Sequence, residues 1–409
     1  MLNILWLSFF LLAAVAAIWQ TVSGSNPDAF NAIIASTFDM ASMAVEIALG
    51  LIGVMALWLG LFRIAEQSGL IAGISRLMTP LFRRLMPEVP PGHPALASMT
   101  MNLAANFLGL DNAATPMGLK AMEQLQTLNP SKDTASNAQI LFLVLNTSSV
   151  TLLPVTIFLY RAQQGAASPA DVFLPILCAT TASTLAGILS VSWVQKIRLN
   201  DPVLLTWFAG FATAVAALLS WIISLPPEQL ADSSARLGNL LLFSIIILFL
   251  VSGVRRKLDC YEHFIDGAKE GFYIAIKIIP FLLAMLVGIG VFRASGCLDI
   301  LLEGIRWSAL SLGLDTQFVE AMPTALMKPL SGSGSRAMML ETMSTYGVDS
   351  FAGRLSATVQ GSTETTFYVL AVYFGSVGIR KSRHAIACGL IADFAGIVSA
   401  IFACYWFFA

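Results

Sequence analysis

The segment Gln360-Gly-Ser-Thr-Glu-Thr-Thr366 places one carboxylate, one amide and four hydroxyls inside an otherwise apolar run. Glu364 could ligate a cation, carry a proton or bind a polar solute, with Gln360, Ser362, Thr363 and Thr365 able to exchange hydrogen bonds beside it. Gly361 weakens a helix there, and the hydroxyls can satisfy the backbone groups that a break frees. A second run, Leu145-Asn-Thr-Ser-Ser-Val150, carries no charge. Its Asn146, Thr147 and Ser148 could hold a polar solute or serve helix packing alone. A third, Met327-Lys-Pro-Leu-Ser-Gly-Ser-Gly-Ser-Arg-Ala337, has glycines that let amide N–H groups converge at an electropositive helix start. With Ser331, Ser333, Ser335, Lys328 and Arg336 it suits an anion, although the Gly-Lys-Ser/Thr ending of a P-loop is missing; a tight turn is the plainer alternative. Residues 101–118 add Asn106, Asp111, Asn112 and Thr115, with Asn102 and Asn106 on one helical face. Asn112 would serve equally as a helix cap. Asp393 lies inside the last apolar run, suited to relaying a proton or to a polar pair. Glu364, Asp393 and Asp111 are the carboxylates that could couple an ion.

What these groups can do depends on their surroundings. Hydrophobic residues make up 57% of the chain and charged residues 11%, where a soluble globular protein has about 25% charged. Many apolar runs reach about twenty residues, enough to cross a ~30 Å hydrocarbon core. The fold class is therefore an all-α polytopic membrane protein, with the lipid bilayer as its first partner. Ten-residue alternation of the kind a β-barrel requires is absent from the pattern. A net charge of −1 and the lack of a basic patch give no reason to expect nucleic acid. Five scattered cysteines and three isolated histidines predict neither a metal site nor a resident cofactor. No nucleophile–base constellation points to an enzyme.

Spans are predicted at 2–20, 44–62, 140–160, 172–194, 203–225, 237–254, 271–292, 355–374 and 385–408, about nine in all. Two further segments are too interrupted to cross. One runs from Ala95 to about Gln126, broken near Leu110-Asp-Asn112; the other runs from Phe318 to about Met343, broken at Ser331-Gly-Ser-Gly-Ser335. Legs of about 15 residues give roughly 22 Å of helix, so each reads as a re-entrant hairpin. Fifteen lysines and arginines fall on the side that holds the N-terminus, Lys381 among them, five on the other side, Arg161 among them, and three at membrane depth. That bias predicts a cytoplasmic N-terminus in a bacterial cytoplasmic (inner) membrane.

A duplication organises these elements. Leu185-Ala-Gly-Ile-Leu-Ser190 recurs as Phe394-Ala-Gly-Ile-Val-Ser399, and Phe62-Arg63 ends one span as Phe292-Arg293 ends another. Each Ala-Gly-Ile follows a polar break at similar distance. The two units start five spans apart, an odd offset, so one would be upside down relative to the other. The expected arrangement is a first membrane repeat at 1–200, linking helices at 201–257 and a second repeat at 258–409. The two inverted repeats would bring their hairpin tips, at Asn112 and Ser333, in from opposite sides.

Asn102-Leu-Ala-Ala-Asn106 through Asp111-Asn-Ala-Ala-Thr-Pro-Met-Gly-Leu-Lys-Ala-Met122 resembles the spore maturation protein A family. Pro329-Leu-Ser-Gly-Ser-Gly334, Asp349-Ser-Phe351 and Gln360-Gly-Ser-Thr-Glu-Thr-Thr-Phe-Tyr368 resemble spore maturation protein B. The chain looks like both fused head to tail, within the nucleoside-recognition, or Gate, superfamily. That group is similar to concentrative nucleoside transporters and to the membrane part of ferrous iron transporters, although neither break here carries a cysteine. The resemblance implies hairpins and broken helices around a midplane site, and a homo-oligomer. The resulting expectation is a secondary-type transporter for a small polar or anionic organic solute, coupled to Na+ or H+. A non-transporting membrane scaffold of the spore-maturation type is the alternative.

Overall fold

Helices carry most of the described residues, as expected where backbone N–H and C=O groups must be satisfied without water. The computed structural model describes residues 2–107, 111–148, 151–197 and 200–409. After α1 (Leu2–Ser23) comes a long helix, α2 (Ala29–Gln67), then α3 (Leu70–Leu85), α4 (Pro94–Phe107), α5 (Asp111–Leu128), α6 (Asn137–Thr147), α7 (Val155–Gln163) and α8 (Phe173–Gln195). Two helices follow, α9 (Pro202–Ile223) and α10 (Pro227–Arg255). The order then begins again with a long helix, α11 (Cys260–Ala294), followed by α12 (Cys297–Ser311), a 3-10 turn (Gln317–Ala321), α13 (Met322–Met327), α14 (Gly332–Tyr346), α15 (Phe351–Ser362), α16 (Thr366–Ser376) and α17 (Ala385–Phe408). Long helix, side helix, two-legged hairpin, interrupted helix and continuous helix thus occur twice in the same order.

Among the described residues, α1, α2, α8, α9, α10 and α17 are long and apolar enough to cross a membrane, and the end of α11 with α12 forms a further candidate bent by 72°. The protein is a multi-pass membrane protein. The predicted spans 140–160 and 355–374 are interrupted helices, α6/α7 and α15/α16. The long helices α2 (39 residues) and α11 (35 residues) extend well past the predicted 44–62 and 271–292. The predicted spans do not include α3 and α12, because Arg76, Arg83 and Arg84 in one and Asp299, Glu303 and Arg306 in the other interrupt their apolar pattern. Both long helices stop the same way. Ser68 and Ser295 are still helical, and Gly69 and Gly296 follow at φ 75° and 76°. A side chain is strained in that left-handed region, whereas glycine is not.

Counterparts of the two halves pack on each other. Gly290 of α11 sits against Ser36 and Met40 of α2, while Gly267 meets Leu59. The pairing numbers fall on one helix as they rise on the other, so α2 and α11 run antiparallel. The same holds for α8 and α17, where Gly187 faces Ala392 and Gly396 faces Ser183. Here the Ala-Gly-Ile repeat has its physical reason. A Cβ on Gly187 would lie 3.0 Å from Ser148 Oγ, and one on Gly396 would lie 2.8 Å from Thr363 Cγ2. Each glycine lets a continuous helix approach the interruption in its own half. The linking helices α9 and α10 turn many large apolar side chains outward, among them Leu205, Phe211, Leu240 and Phe243, as lipid contact permits.

Candidate functional site

Both interruptions arise from side chains that compete for helical carbonyls. Near the end of α6, Asn146 Nδ2 donates to Phe142 O at 2.8 Å, Thr147 Oγ1 to Leu143 O at 3.2 Å and Ser148 Oγ to Val144 O at 2.8 Å. Each bond runs back four residues. Pro154 then precedes α7 and has no N–H to give. At the end of α15, Ser362 Oγ donates to Val359 O at 2.7 Å, and Thr363 is extended. The backbone groups freed by each break are then taken by the hairpin of the same half. Leu152 N–H donates to Phe107 O at 2.9 Å, at the end of the first leg of hairpin α4/α5. Phe367 N–H donates to Pro329 O at 3.1 Å, just past the corresponding leg of hairpin α13/α14. A third bond joins the two breaks directly, from Glu364 N–H to Thr147 O at 2.7 Å.

Around these contacts lies a cavity of about 700 Å³. Hairpin α4/α5 contributes Asn106 and Thr115 to its wall, and α6, α7 and the segment between them contribute Asn146, Thr151, Pro154 and Tyr160. From hairpin α13/α14 come Lys328, Ser331, Ser333 and Arg336; from α15, α16 and their junction come Gln360, Thr363, Glu364, Thr365, Tyr368 and Tyr373. Eleven polar residues singled out from the sequence therefore share one wall: Asn106, Thr115, Asn146, Lys328, Ser331, Ser333, Arg336, Gln360, Thr363, Glu364 and Thr365. Glu364 is exposed to this space while its neighbours Thr363 and Thr365 are buried. Among the described residues no ion pair holds its carboxylate.

The other expected residues stand just behind the wall or outside the description. Thr147 and Ser148 are fully buried and spend their hydroxyls on α6. Ser335 Oγ donates to Gln360 Oε1 at 2.6 Å and so fixes a cavity amide from behind. Ser362 turns its hydroxyl into α15. Asp393 is buried on α17, where its Oδ2 accepts from Thr366 Oγ1 at 2.6 Å. Asp111 and Asn112 open α5, and their side chains lie outside the described residues. The Gly-Ser run expected as a hairpin loop, Gly332 to Ser335, is instead the first turn of α14, because Ser331 caps it by accepting from Gly334 N at 3.0 Å. That leaves an electropositive helix start at the cavity wall.

Wall contacts also cross between halves. Asn106 Nδ2 donates to Asn146 Oδ1 at 2.8 Å, and Tyr373 OH, from the second half, donates to the same oxygen at 3.3 Å. Asn102 Nδ2 in turn donates to Tyr373 OH at 3.2 Å. The Arg336 guanidinium lies 5.5 Å from the centre of the Tyr160 ring, a cation–π distance. Lys328, 2% exposed, donates through Nζ to Gln360 O at 2.7 Å. Tyr160 and Tyr373 carry no signal in the sequence, since an aromatic in an apolar helix looks the same whether it faces lipid or a cavity.

The model of the Gate family, described as nucleoside recognition, matches residues 48–163 and 275–380, more than half of the chain. The chain belongs to the Gate nucleoside-recognition family. Each matched segment contains one hairpin and one interrupted helix, the elements that make the cavity. The chain is 41% identical over 189 residues to spore maturation protein A of Bacillus subtilis (strain 168), covering 46% of this chain and 93% of that protein. It is 45% identical over 157 residues to spore maturation protein B of the same organism, covering 38% of this chain and 86% of that protein. These two relatives cover different parts of the chain. No solved structure matches at a significant level.

Proposed function

We propose that this Gate-family protein is a secondary-type transporter for a small polar or anionic organic solute, nucleoside-like or a carboxylate. The observation that carries the reading is the shared cavity. Two hairpins and two interrupted helices, one of each from either half, supply its polar wall, and Glu364 is exposed within it. Lys328, Arg336 and the start of α14 would receive negative charge, while Asn106, Asn146, Gln360 and the serines would bond a neutral polar group. The tyrosines would stack on a planar ring. Volumes of a few hundred Å³ and above suit a small organic ligand.

Nine spans result when α11 and the two interrupted helices are counted with the six continuous ones, and the hairpins are then re-entrant. The antiparallel pairing of α2 with α11 and of α8 with α17 supports two inverted repeats, 1–200 and 258–409, joined by 201–257. In that arrangement the hairpins approach from opposite faces and gate the cavity alternately, with Glu364 or Asp393 coupling to Na+ or H+. The N-terminus would be cytoplasmic in a bacterial inner membrane, and the protein would assemble as a homo-oligomer.

Reconstituted into liposomes, the protein should take up a nucleoside or a small carboxylate, and Glu364→Gln should lower that uptake more than about tenfold, a loss of at least ~1.4 kcal/mol of coupling or binding. Full uptake by Glu364→Gln would remove the residue from the mechanism. Absence of both uptake and ligand-induced thermal stabilisation across nucleosides and carboxylates would favour a scaffold instead.

A further inference from the structure

Behind the junction of α15 and α16, three buried oxygens have no hydrogen-bond partner among the described residues: Asp393 Oδ1, Thr363 Oγ1 and Ser183 Oγ. They come from three elements, namely α17, the α15/α16 junction and α8. Asp393 is 1% exposed, Thr363 5% and Ser183 0%. Gly396, three residues beyond Asp393 on the same helix, lets the group approach, because a Cβ there would lie 2.8 Å from Thr363 Cγ2 and 3.2 Å from Ser183 Cβ. Thr363 stands beside the Asp393 carboxylate without a hydrogen bond of normal geometry to it. The second carboxylate oxygen is held by Thr366 Oγ1 at 2.6 Å.

Buried polar atoms are seldom left unpaired, and a lone buried carboxylate is costlier still. A proton on Oδ1 could satisfy one neighbouring hydroxyl. A cation would take a lone pair from all three oxygens and cancel the carboxylate charge. The donor set is oxygen alone, one charge and neutral hydroxyls, with no second carboxylate, histidine or thiol, and no cluster of three such groups exists among the described residues. One negative charge matches a monovalent cation better than a divalent one. Two other ionisable groups act on the site: Lys328, anchored to Gln360 O, and Glu364, on the cavity side. Their opposite signs partly offset, which leaves Asp393 as the local negative centre. The C-terminal end of α15 also points its electronegative pole toward the junction.

We infer that Asp393, Thr363 and Ser183 form a sodium-binding site, with Thr366 fixing the carboxylate. The site draws ligands from both halves, since Ser183 belongs to the first and the others to the second. As the coupling ion, sodium rests on the transporter reading; as a bound ligand it does not. Any movement of α8 against α17 would change the number of oxygens offered, which is how ion binding could bias the hairpins of the adjoining cavity.

Thermal unfolding of the purified full-length protein in detergent, with NaCl replacing KCl at constant ionic strength, tests the site. The Tm should rise with the logarithm of sodium concentration and stay flat in potassium. Asp393→Asn keeps the shape and a partner for Thr366, and should abolish the rise. Ser183→Ala and Thr363→Val should each move the rise to about tenfold higher sodium. A sodium-independent Tm in the wild type overturns the proposal, and so does a wild-type rise in Asp393→Asn. If Asp393→Asn does not fold, unchanged sodium dependence in both hydroxyl variants overturns it. Sodium-independent solute uptake with a flat Tm would remove the site and leave the transporter standing. A sodium-dependent Tm without uptake of any solute would do the reverse.

Discussion

Two latches close the two ends of the α8/α17 pair, built on corresponding loops and set in different surroundings. Before α8, Arg161 is fully buried and pairs with Asp171 at 2.8 Å and with Asp349, which precedes α15, at 3.0 Å. Its other donors reach the carbonyls of Pro169 and Val348, and Arg354 closes on Asp171 at 2.8 Å. Before α17, Lys381 pairs with Asp133, which precedes α6, at 3.1 Å, but both side chains stand in solvent, 71% and 54% exposed. There the backbone makes the joint instead. Arg380 and Lys381 N–H both reach Asp133 O, and Ala135 N–H reaches Lys381 O. Burial pushes the Asp171 carboxyl above the ordinary carboxylate range, whereas the Thr134 hydroxyl and the Lys381 ammonium hold Asp133 below it. A repeated scaffold has thus been fastened by side-chain charge at one end and by main chain at the other.

The contrast should be widest between Arg161→Met and Lys381→Met. The first leaves Asp171 buried with one fewer partner and should cost about 3–5 kcal/mol. The second should leave the Tm unchanged within error, since exposed ion pairs contribute little. Equal losses in thermal unfolding would show that the two joints work alike. A smaller effect is expected at the helix crossing. Gly396→Val drives a side chain into Thr363 and Ser183, and Gly187→Val drives one into Ser148 and Val144; each should destabilise by about 1–3 kcal/mol. The Gly396 variant should be the worse, because its added Cβ meets its nearest neighbour at 2.8 Å, against 3.0 Å at Gly187. The smallest effects should also be the most symmetric. Ser136 caps α6 within a capping box with Gln139, and Ser350 caps α15 through Gly353 N. Alanine at either should cost about 1 kcal/mol, read by the same unfolding scan, and a large disparity would mean that the two half-helices are not equivalently placed.

The interruptions themselves follow the same pattern of shared frame and divergent chemistry. Thr184 on α8 gives its hydroxyl to Ser148 O, so the first break is closed by a neutral group. The matching turn of α17 carries Asp393, three residues before Gly396 as Thr184 is three before Gly187. A carboxylate in place of a hydroxyl turns a satisfied joint into one with an oxygen to spare.

From its order of residues alone, this protein was bound to be helical and membrane-embedded, to break its helices at Asn146–Ser148 and Ser362–Thr365, and to repeat one plan twice. Those properties follow from local quantities: the length of an apolar run, a hydroxyl that competes for the carbonyl one turn back, a glycine recurring at fixed distance. Packing alone decided which polar groups would meet. Arg161 reads in sequence as a loop charge like Lys381, yet it is sealed from water because Asp349, 188 positions away, comes to rest against it. Tyr373 reaches Asn146 across 227 positions, and Ser183 meets Gly396, three residues past Asp393, only through the crossing of α8 and α17. Where a helix is broken, its periodicity no longer fixes the direction of the next side chain, so the cavity wall depends on contacts between halves that no local pattern encodes.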